Sequence, residues 1–119
     1  MQRFTELKVW QRGHALVLGV YRMTVGFPQN ELYGLTSQLR RSALSVPTNI
    51  AEGSKRLTST EYARFLNISE ASLAETEYLV MVSRDLGYVA PIVAKKTLDE
   101  ISELSRMLHS LRKKVEAGN

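Results

Sequence analysis

The sequence predicts an all-α protein, an antiparallel up-down-up-down four-helix bundle that forms a single domain over residues 1–119. Along almost the whole chain, apolar residues recur every three or four positions, which is the period of an amphipathic helix. Breaking and capping segments divide this pattern into four long stretches with short connections, as in such bundles. The sequence contains no alternating Val/Ile/Thr runs and no Asn-Gly turns, so strands are not predicted.

The first helix is predicted from an apolar stripe with 3-4-3-4-3 spacing, formed by Leu7, Trp10, His14, Val17, Tyr21 and Thr24. It should end near Gly26-Phe27-Pro28, since Gly and Pro break helices. We expect Trp10 and Tyr21 to lie in the core. We expect His14, on the same stripe, to be a hydrogen-bonded residue of the core or its boundary rather than a ligand.

The second helix is predicted to begin at Asn30, a good N-cap, with Glu31 favourable in the first turn. Phe27 and Tyr33 flank this turn and are expected to staple it. The apolar stripe of the helix consists of Leu32, Leu35, Leu39, Ala43, Val46 and Ile50. Gly53 weakens the helix near its end, and residues 55–57 are predicted to form a short connection.

Pro47 lies inside the predicted second helix. It has no N–H to donate to the Ala43 carbonyl, and its ring presses against that carbonyl, so we predict a kink between the two residues. Ser42 or Ser45 is expected to help satisfy the freed carbonyls. The kink either bends the helix around its neighbours or exposes backbone at a subunit contact.

Several polar residues of the second helix lie off its apolar stripe. At 100° per residue, Asn49 falls at the edge of the stripe, whereas Arg41 and Glu52 point away from it. One interpretation is a simple exposed i, i+4 ion pair between Glu52 and Arg56. The other is a polar network of Arg41, Asn49, Glu52 and Arg56, joined by Glu75 of the third helix, which fixes helix register or a subunit contact.

The third helix is predicted to begin with a capping box, Thr58-Ser59-Thr60-Glu61, in which Thr58 caps the first turn and Glu61 reaches back. Gly87 should end it as a left-handed C-cap, and Pro91 suits the first turn of the fourth helix. The fourth helix then has a regular stripe of Thr97, Ile101, Leu104, Leu108, Leu111 and Val115.

Motifs for catalysis are missing from the sequence. It contains no cysteine, no Gly-rich phosphate loop and no nucleophile elbow. A di-metal site in a bundle needs Glu-x-x-His pairs, but Gln11 and Arg106 stand three residues before His14 and His109. We therefore expect a protein that is not an enzyme and has no metal or cofactor. Without a secretory apolar segment or a span of about 20 apolar residues, we expect a cytoplasmic location and no membrane partner.

Positive charge is concentrated in the first half of the chain. Residues 1–60 contain eight basic and three acidic residues, whereas the remainder contains eight basic and nine acidic residues. A basic half is compatible with a polyanionic partner, and also with contacts between unlike halves in an oligomer. The candidate nucleic-acid-binding residues are Arg12, Arg22, Arg40, Arg41, Lys55 and Arg56.

The chain resembles the four-helix-bundle proteins encoded within bacterial 23S rRNA intervening sequences. The resemblance runs through LKVWQRGHALVLGVYRMT, FPQNELYGLTSQLRRSALSVPTNIAEGSKR, EYARFLNIS, ASLAETEYL and DLGYV, and the long middle block is the specific part. It departs from the family at Gly13, where alanine is usual, and at Glu70-Ala71-Ser72, where a glycine more often precedes the serine.

The resemblance implies a bundle that assembles as a ring, commonly a pentamer. The family is similar to the accessory variability proteins of diversity-generating retroelements, which are basic pentamers that bind nucleic acid and work with a reverse transcriptase. By this fold-level analogy, we expect a homo-oligomer that binds RNA or DNA with little sequence specificity. The alternative is a protein–protein interaction scaffold with no nucleic-acid role.

Overall fold

The structure, a computed structural model, describes residues 3–118. Within this range it is all-helical and contains four α-helices: α1 Lys8–Thr24, α2 Leu35–Ser54, α3 Ser59–Asp85 and α4 Pro91–Gly118. Consecutive helices pack side by side and α4 closes back onto α1, so that α2 and α4 lie diagonally without contact. The predicted four-helix bundle is confirmed.

The core follows the stripes predicted for α2 and α4, apart from Leu32, which precedes α2 and is exposed. Its fully buried side chains include Leu39, Val46, Ile50, Leu66, Leu73, Ile101, Leu104 and Leu108. Leu111 and Val115 pack on the edge of this core. Burial of this apolar surface is the main stabilising contribution to such a bundle.

The buried face of α1 differs from the prediction. The structure buries Val9, Gly13, Leu16, Val17, Val20 and Thr24, a face rotated by about 80° from the predicted stripe at 100° per residue. The prediction for His14 is wrong: the residue is exposed and its ring stacks on Trp10, with ring centroids 5.0 Å apart. Trp10 is half-buried and Tyr21 is exposed, because the small aliphatic residues rather than the aromatic ones face the core.

The start of α2 also differs from the prediction. Asn30 lies within a 3-10 turn, Gln29–Glu31, and α2 begins only at Leu35. The cap is instead Glu31, whose Oε1 accepts a hydrogen bond from the Leu35 amide at 3.2 Å. The predicted staple of Phe27 and Tyr33 does not form, because Phe27 is buried against the Tyr88 ring and Tyr33 is 93% exposed.

α2 continues through Pro47 to Ser54. Pro47 is buried, and its Cβ lies 3.4 Å from the position that a Cβ on Gly13 would occupy. A flat proline ring therefore packs on the part of α1 that has no side chain. The position has room for the alanine that is usual in the family, so Gly13 is a tolerated residue rather than a required one.

Hydroxyl and amide groups line the contact between α2 and α3. Ser69 Oγ donates to the Val46 carbonyl at 2.9 Å, one residue before the proline. Ser45 and Ser72 share a hydrogen bond of 2.8 Å, and Thr76 Oγ1 lies 2.9 Å from Ser42 Oγ. Ser42 donates to the Leu39 carbonyl. Side chains of α3 therefore provide the polar contacts around the proline, and the bonds are short because small residues let the helices approach.

The predicted helix ends are largely confirmed. Thr58 Oγ1 accepts from the Glu61 amide at 3.1 Å, although the Glu61 carboxylate pairs with Arg64 instead of reaching back. Gly87 has a φ of +81°, the left-handed conformation expected of a C-cap glycine. Pro91 is the first residue of α4. None of the helices described between residues 3 and 118 is both long and apolar enough to cross a membrane.

Candidate functional site

A polar groove runs between the first half of α2 and α3. We call it the serine groove; it has a volume of about 600 Å³ and is lined by Tyr33, Gly34, Ser37, Gln38, Arg41, Ser42, Ser45, Ser72 and Glu75. Arg41 and Glu75 both border it, but they form no ion pair with each other or with any other residue that the structure describes. The groove thus presents one cation and one carboxylate along a row of hydroxyl groups.

Arg40 is held in a defined position beside this groove. Its Nε donates to Thr24 Oγ1 at 2.7 Å, and its guanidinium carbon lies 4.6 Å from the centre of the Tyr21 ring. Thr24 itself donates to the Val20 carbonyl, so the side chain is anchored to the end of α1. The two terminal nitrogens of Arg40 have no partner within residues 3–118 and are available to an anion.

Arg40 and Arg41 border a second, smaller concavity, which we call the Thr36 pocket. It has a volume of about 300 Å³ and is lined by Tyr21, Leu32, Tyr33, Thr36, Ser37, Arg40 and Arg41. Tyr21 and Tyr33 are therefore exposed aromatic side chains beside two guanidinium groups, an arrangement that suits stacking on bases next to phosphates. The sequence did not identify Tyr33 as a candidate binding residue, because a tyrosine in a turn carries no periodic signal.

Lys55 and Arg56 lie at the opposite end of α2. Fifteen residues separate Arg41 from Arg56, which is about 22 Å along a helix. Arg56 does not pair with Glu52 through the carboxylate; its Nε donates to the Glu52 backbone carbonyl at 3.2 Å. Its guanidinium lies 5.1 Å from the centre of the Phe65 ring, and Arg64 lies 5.0 Å from the same ring. Arg64 thus joins the predicted cations at this end.

The structure does not assemble the predicted polar network as one unit. Asn49 is half-buried, and its amide donates to the Ser45 carbonyl at 2.8 Å and to Ser45 Oγ at 2.9 Å. Through the Ser45–Ser72 bond, Asn49 therefore reaches α3. Among the described residues, no hydrogen bond joins Arg41, Glu52 or Glu75 to this chain of contacts. Glu52 is exposed at the end of α2.

Arg12 is separated from the other candidate residues. It forms an ion pair with Glu103 across the contact between α1 and α4, on the side of the bundle away from the α2–α3 contact. The hydrogen bond and the charge of Arg12 lower the pKa of Glu103 below its ordinary value of 4.5. Arg22, in the last turn of α1, is exposed and lies at the same end as Arg40.

The Arg12–Glu103 pair makes a testable contribution to stability. Because the pKa of Glu103 is lowered in the folded protein, its contribution is present above the pKa of the unfolded chain and is lost as pH falls through the lowered pKa. We expect Arg12→Gln to lower the melting temperature slightly at pH 7 and to have no effect at pH 2. Calorimetry at both pH values measures the difference, with Arg22→Gln as the matched control. A pH-independent loss in Arg12→Gln would contradict the assignment.

The cations around α2 differ from those of α3 in their partners. Within residues 3–118, no carboxylate lies within ion-pair distance of Arg22, Arg40, Arg41, Lys55 or Arg56. By contrast, Arg64, Arg84, Lys95 and Arg112 each pair with an acidic side chain. The Arg112 pair with Glu70 is half-buried between α4 and α3, and the hydrogen bonds from Arg112 to Glu70 and Glu116 raise the pKa of Arg112. Lys96, Arg106, Lys113 and Lys114 of α4 also have no carboxylate within ion-pair distance in residues 3–118, so unpaired positive charge lies both around α2 and on α4.

Metal-ligating side chains are scattered over the part of the chain that the structure describes. In residues 3–118, no three His, Asp or Glu side chains come together in a group that could hold a metal ion. His109 is exposed beside Arg112 and Glu70.

The fold places the chain among small four-helix-bundle proteins. A model of the family described as "23S rRNA-intervening sequence protein" matches residues 5–110. The chain belongs to this family, as its resemblance to the family in the middle block indicated.

A solved structure with the same fold comes from Bacteroides thetaiotaomicron, where it is described as a protein with unknown function from the S23 ribosomal protein family. The two chains are 20% identical, with a TM-score of 0.79, and the match covers 88% of this chain and 98% of that one. At this identity the likeness establishes the fold alone. None of the curated proteins compared with the chain matches it.

Proposed function

We propose that the protein is a cytoplasmic, non-enzymatic homo-oligomer that binds RNA or DNA with low sequence specificity. The observation that carries the proposal is the set of cations without carboxylate partners around α2, consisting of Arg22, Arg40, Arg41, Lys55 and Arg56. Cations that are not neutralised by neighbouring acids attract phosphates most strongly. Arg12, which pairs with Glu103, is assigned a weaker part in binding.

Assembly is supported by apolar side chains exposed at one end of the bundle. The α1–α2 and α3–α4 connections meet there, joined by the Phe27–Tyr88 ring contact and by a hydrogen bond of 3.1 Å from Tyr88 to Glu31. Exposed residues around this end include Val25, Leu32, Tyr33, Leu86, Ile92 and Val93. Clustered exposed apolar surface marks contacts with other chains, and the family resemblance points to a ring of five. Light scattering tests this; a monomer at micromolar concentration would contradict it.

If the unpaired cations around α2 are repeated around a ring, a weak phosphate-binding site on each subunit is enough for useful affinity. Each subunit offers a few phosphate contacts, and linking them multiplies the effective affinity for one strand. The side chains around α2 include no arrangement that reads base edges, so affinity should depend on charge rather than on sequence.

Binding should weaken steeply with salt. If four phosphates of a single strand are contacted, affinity is expected to fall roughly 50-fold between about 50 and 200 mM salt, because bound counterions are released. Fluorescence anisotropy with labelled single-stranded RNA, single-stranded DNA and duplex DNA measures this dependence. Scrambled sequences of equal length are the control and should bind equally. Failure to bind any of the three probes at low salt would overturn the proposal.

The second candidate is an interaction scaffold whose ligand is another protein, such as the reverse transcriptase suggested by analogy with the retroelement proteins. The exposed apolar end of the bundle favours it, since nucleic acid does not require such a surface. This function would be supported if a protein partner co-purifies after nuclease treatment and no nucleic acid binds.

A further inference from the structure

The first turn of α2 has two backbone donors without acceptors. The first four amides of an α-helix have no partner inside the helix. Of those in α2, the Leu35 amide donates to Glu31 Oε1 at 3.2 Å and the Gln38 amide donates to the Gly34 carbonyl at 3.0 Å. The Thr36 and Ser37 amides between them have no bonded acceptor within residues 3–118. This end of a helix also carries partial positive charge.

Thr36 supplies an independent observation at the same place. The residue is only 4% exposed, yet its Oγ1 has no hydrogen-bond partner. It is the one buried side-chain N or O atom in residues 3–118 that lacks a partner. Buried polar groups are nearly always hydrogen-bonded, so this hydroxyl calls for an explanation. Thr36 forms part of the wall of the Thr36 pocket, and rotation of its side chain toward the pocket would let an oxygen atom of a bound ligand become the missing partner.

Positive charge surrounds the same pocket. Arg40 and Arg41 lie one helical turn beyond Thr36 and Ser37, and both line the pocket. Arg40 is already positioned by Thr24 and Tyr21, so little freedom is lost when an anion binds. Glu31 is the carboxylate closest to the start of α2. It accepts hydrogen bonds from the Leu35 amide and the Tyr88 hydroxyl, and it does not line the pocket.

We propose that the Thr36 pocket is a phosphate-binding subsite for a nucleic-acid strand. The phosphate oxygens would accept hydrogen bonds from the Thr36 and Ser37 amides and from the Thr36 hydroxyl, with Arg40 and Arg41 providing the countercharge. A tetrahedral anion with several acceptor oxygens matches donors converging from a helix start. A volume of about 300 Å³ leaves room for the attached sugar, and the exposed Tyr33 ring offers a surface for the neighbouring base.

The identity of the ligand as a strand rests on the proposed function, whereas the phosphate chemistry does not. The two are therefore tested with different probes. Inorganic phosphate and adenosine monophosphate test the subsite itself, and a labelled 12-nucleotide oligouridine tests its use by a strand.

The variants are chosen to separate binding from folding. Thr36→Val removes the hydroxyl at nearly constant volume; because that hydroxyl has no partner, the melting temperature should stay the same or rise. Its affinity for oligouridine should nevertheless fall roughly tenfold, the usual loss for a hydrogen bond to a charged group. Thr36→Ser keeps the hydroxyl and should bind like the wild type. Thr60→Val, the same substitution at the second residue of α3, is the matched control.

Amide NMR spectra of the unaltered protein supply a measurement that needs no variant. Titration with inorganic phosphate is expected to shift the Thr36 and Ser37 amide resonances more than those of Thr60 and Glu61, which start α3. Unmoved Thr36 and Ser37 resonances, or equal oligouridine affinity of Thr36→Val and wild type, would overturn the subsite. If phosphate moves these resonances but no oligonucleotide binds, the subsite stands and the proposed function fails. If oligouridine binds but Thr36→Val loses no more affinity than Thr60→Val, the proposed function stands without the subsite.

Discussion

Replacing both Arg40 and Arg41 by glutamate is expected to reduce nucleic-acid affinity by roughly 100-fold or more, since two hydrogen bonds to charged groups are lost and two repulsive charges are gained. The two residues line the Thr36 pocket, and Arg41 also borders the serine groove. Neither has a carboxylate partner in the described part of the chain. Under the proposed function both guanidinium groups bind the ligand, and only Arg40 also contacts the rest of the bundle, through Thr24 and Tyr21.

The matching control is the double change Lys113→Glu and Lys114→Glu. These residues are also adjacent, exposed and basic, but they lie near the end of α4, so the net charge changes equally at a distant place. Anisotropy measures binding and light scattering measures assembly for both variants. A loss of affinity confined to the Arg40 and Arg41 variant supports a local interface. Equal losses would point to net charge alone, and a change in oligomer mass would favour the scaffold function.

Arg40 also contacts Thr24 and Tyr21, so replacing it removes contacts between α2 and α1. The variant Arg40→Gln with Arg41→Gln removes charge without introducing repulsion and should show an intermediate affinity. Circular dichroism should give unchanged helix content for all of these variants, since the residues they alter lie outside the core. If a double variant of Arg40 and Arg41 is partly unfolded, the affinity of the single variant Arg41→Glu becomes the decisive comparison with the wild type.

Gly53→Val is expected to destabilise the protein more than any surface change, by roughly 3 kcal/mol. For a domain of this size that corresponds to a fall of roughly 10 °C in melting temperature. A Cβ at this position would lie 2.8 Å from Phe65 Cβ and 3.1 Å from Tyr62 Cδ1. The first distance is shorter than van der Waals contact, and Phe65 Cβ moves only with its backbone. The last turn of α2 and the first turns of α3 would therefore have to move apart.

Gly19→Val is the matched control, because it is the same substitution in another helix. A Cβ at Gly19 meets no atom within 4 Å, and valine is slightly better than glycine in a helix interior. The melting temperature of this variant should therefore stay the same or rise a little. Thermal unfolding followed by circular dichroism compares the two. A Gly53→Val protein as stable as the wild type would show that α2 and α3 do not need this close approach.

The sequence interpretation of Gly53 illustrates why packing is hard to predict. From its propensity alone, Gly53 appeared as a weak point near the end of the second helix. In the structure the helix ends one residue later, at Ser54, as predicted, and the missing side chain also allows Tyr62 and Phe65 to approach. Low helix propensity and close tertiary contact meet at the same glycine, and no local pattern reveals the second.

The orientation of α1 is a second feature of packing that is hard to predict from the sequence. Both the predicted and the observed faces have helical spacing, and the sequence offers larger side chains on the predicted one. The bundle buries Val20 and Leu16 in place of His14 and Tyr21, because rings with polar groups are accommodated at the boundary. The choice depends on which neighbours α1 meets, namely α2 and α4.

The number of helices, most of their ends and the apolar faces of α2 and α4 follow from the sequence alone. These features depend on local periodicity and on caps such as Thr58, Gly87 and Pro91, whose physical effects act within one or two turns. The cap that Glu31 forms on α2 and the position of Arg40 and Arg41 beside Thr36 are also local, but they depend on side-chain conformations for which the apolar pattern carries no signal. The face that α1 buries and the anchoring of Arg40 by Thr24 are set by the packing of the four helices, because they join residues far apart in the chain.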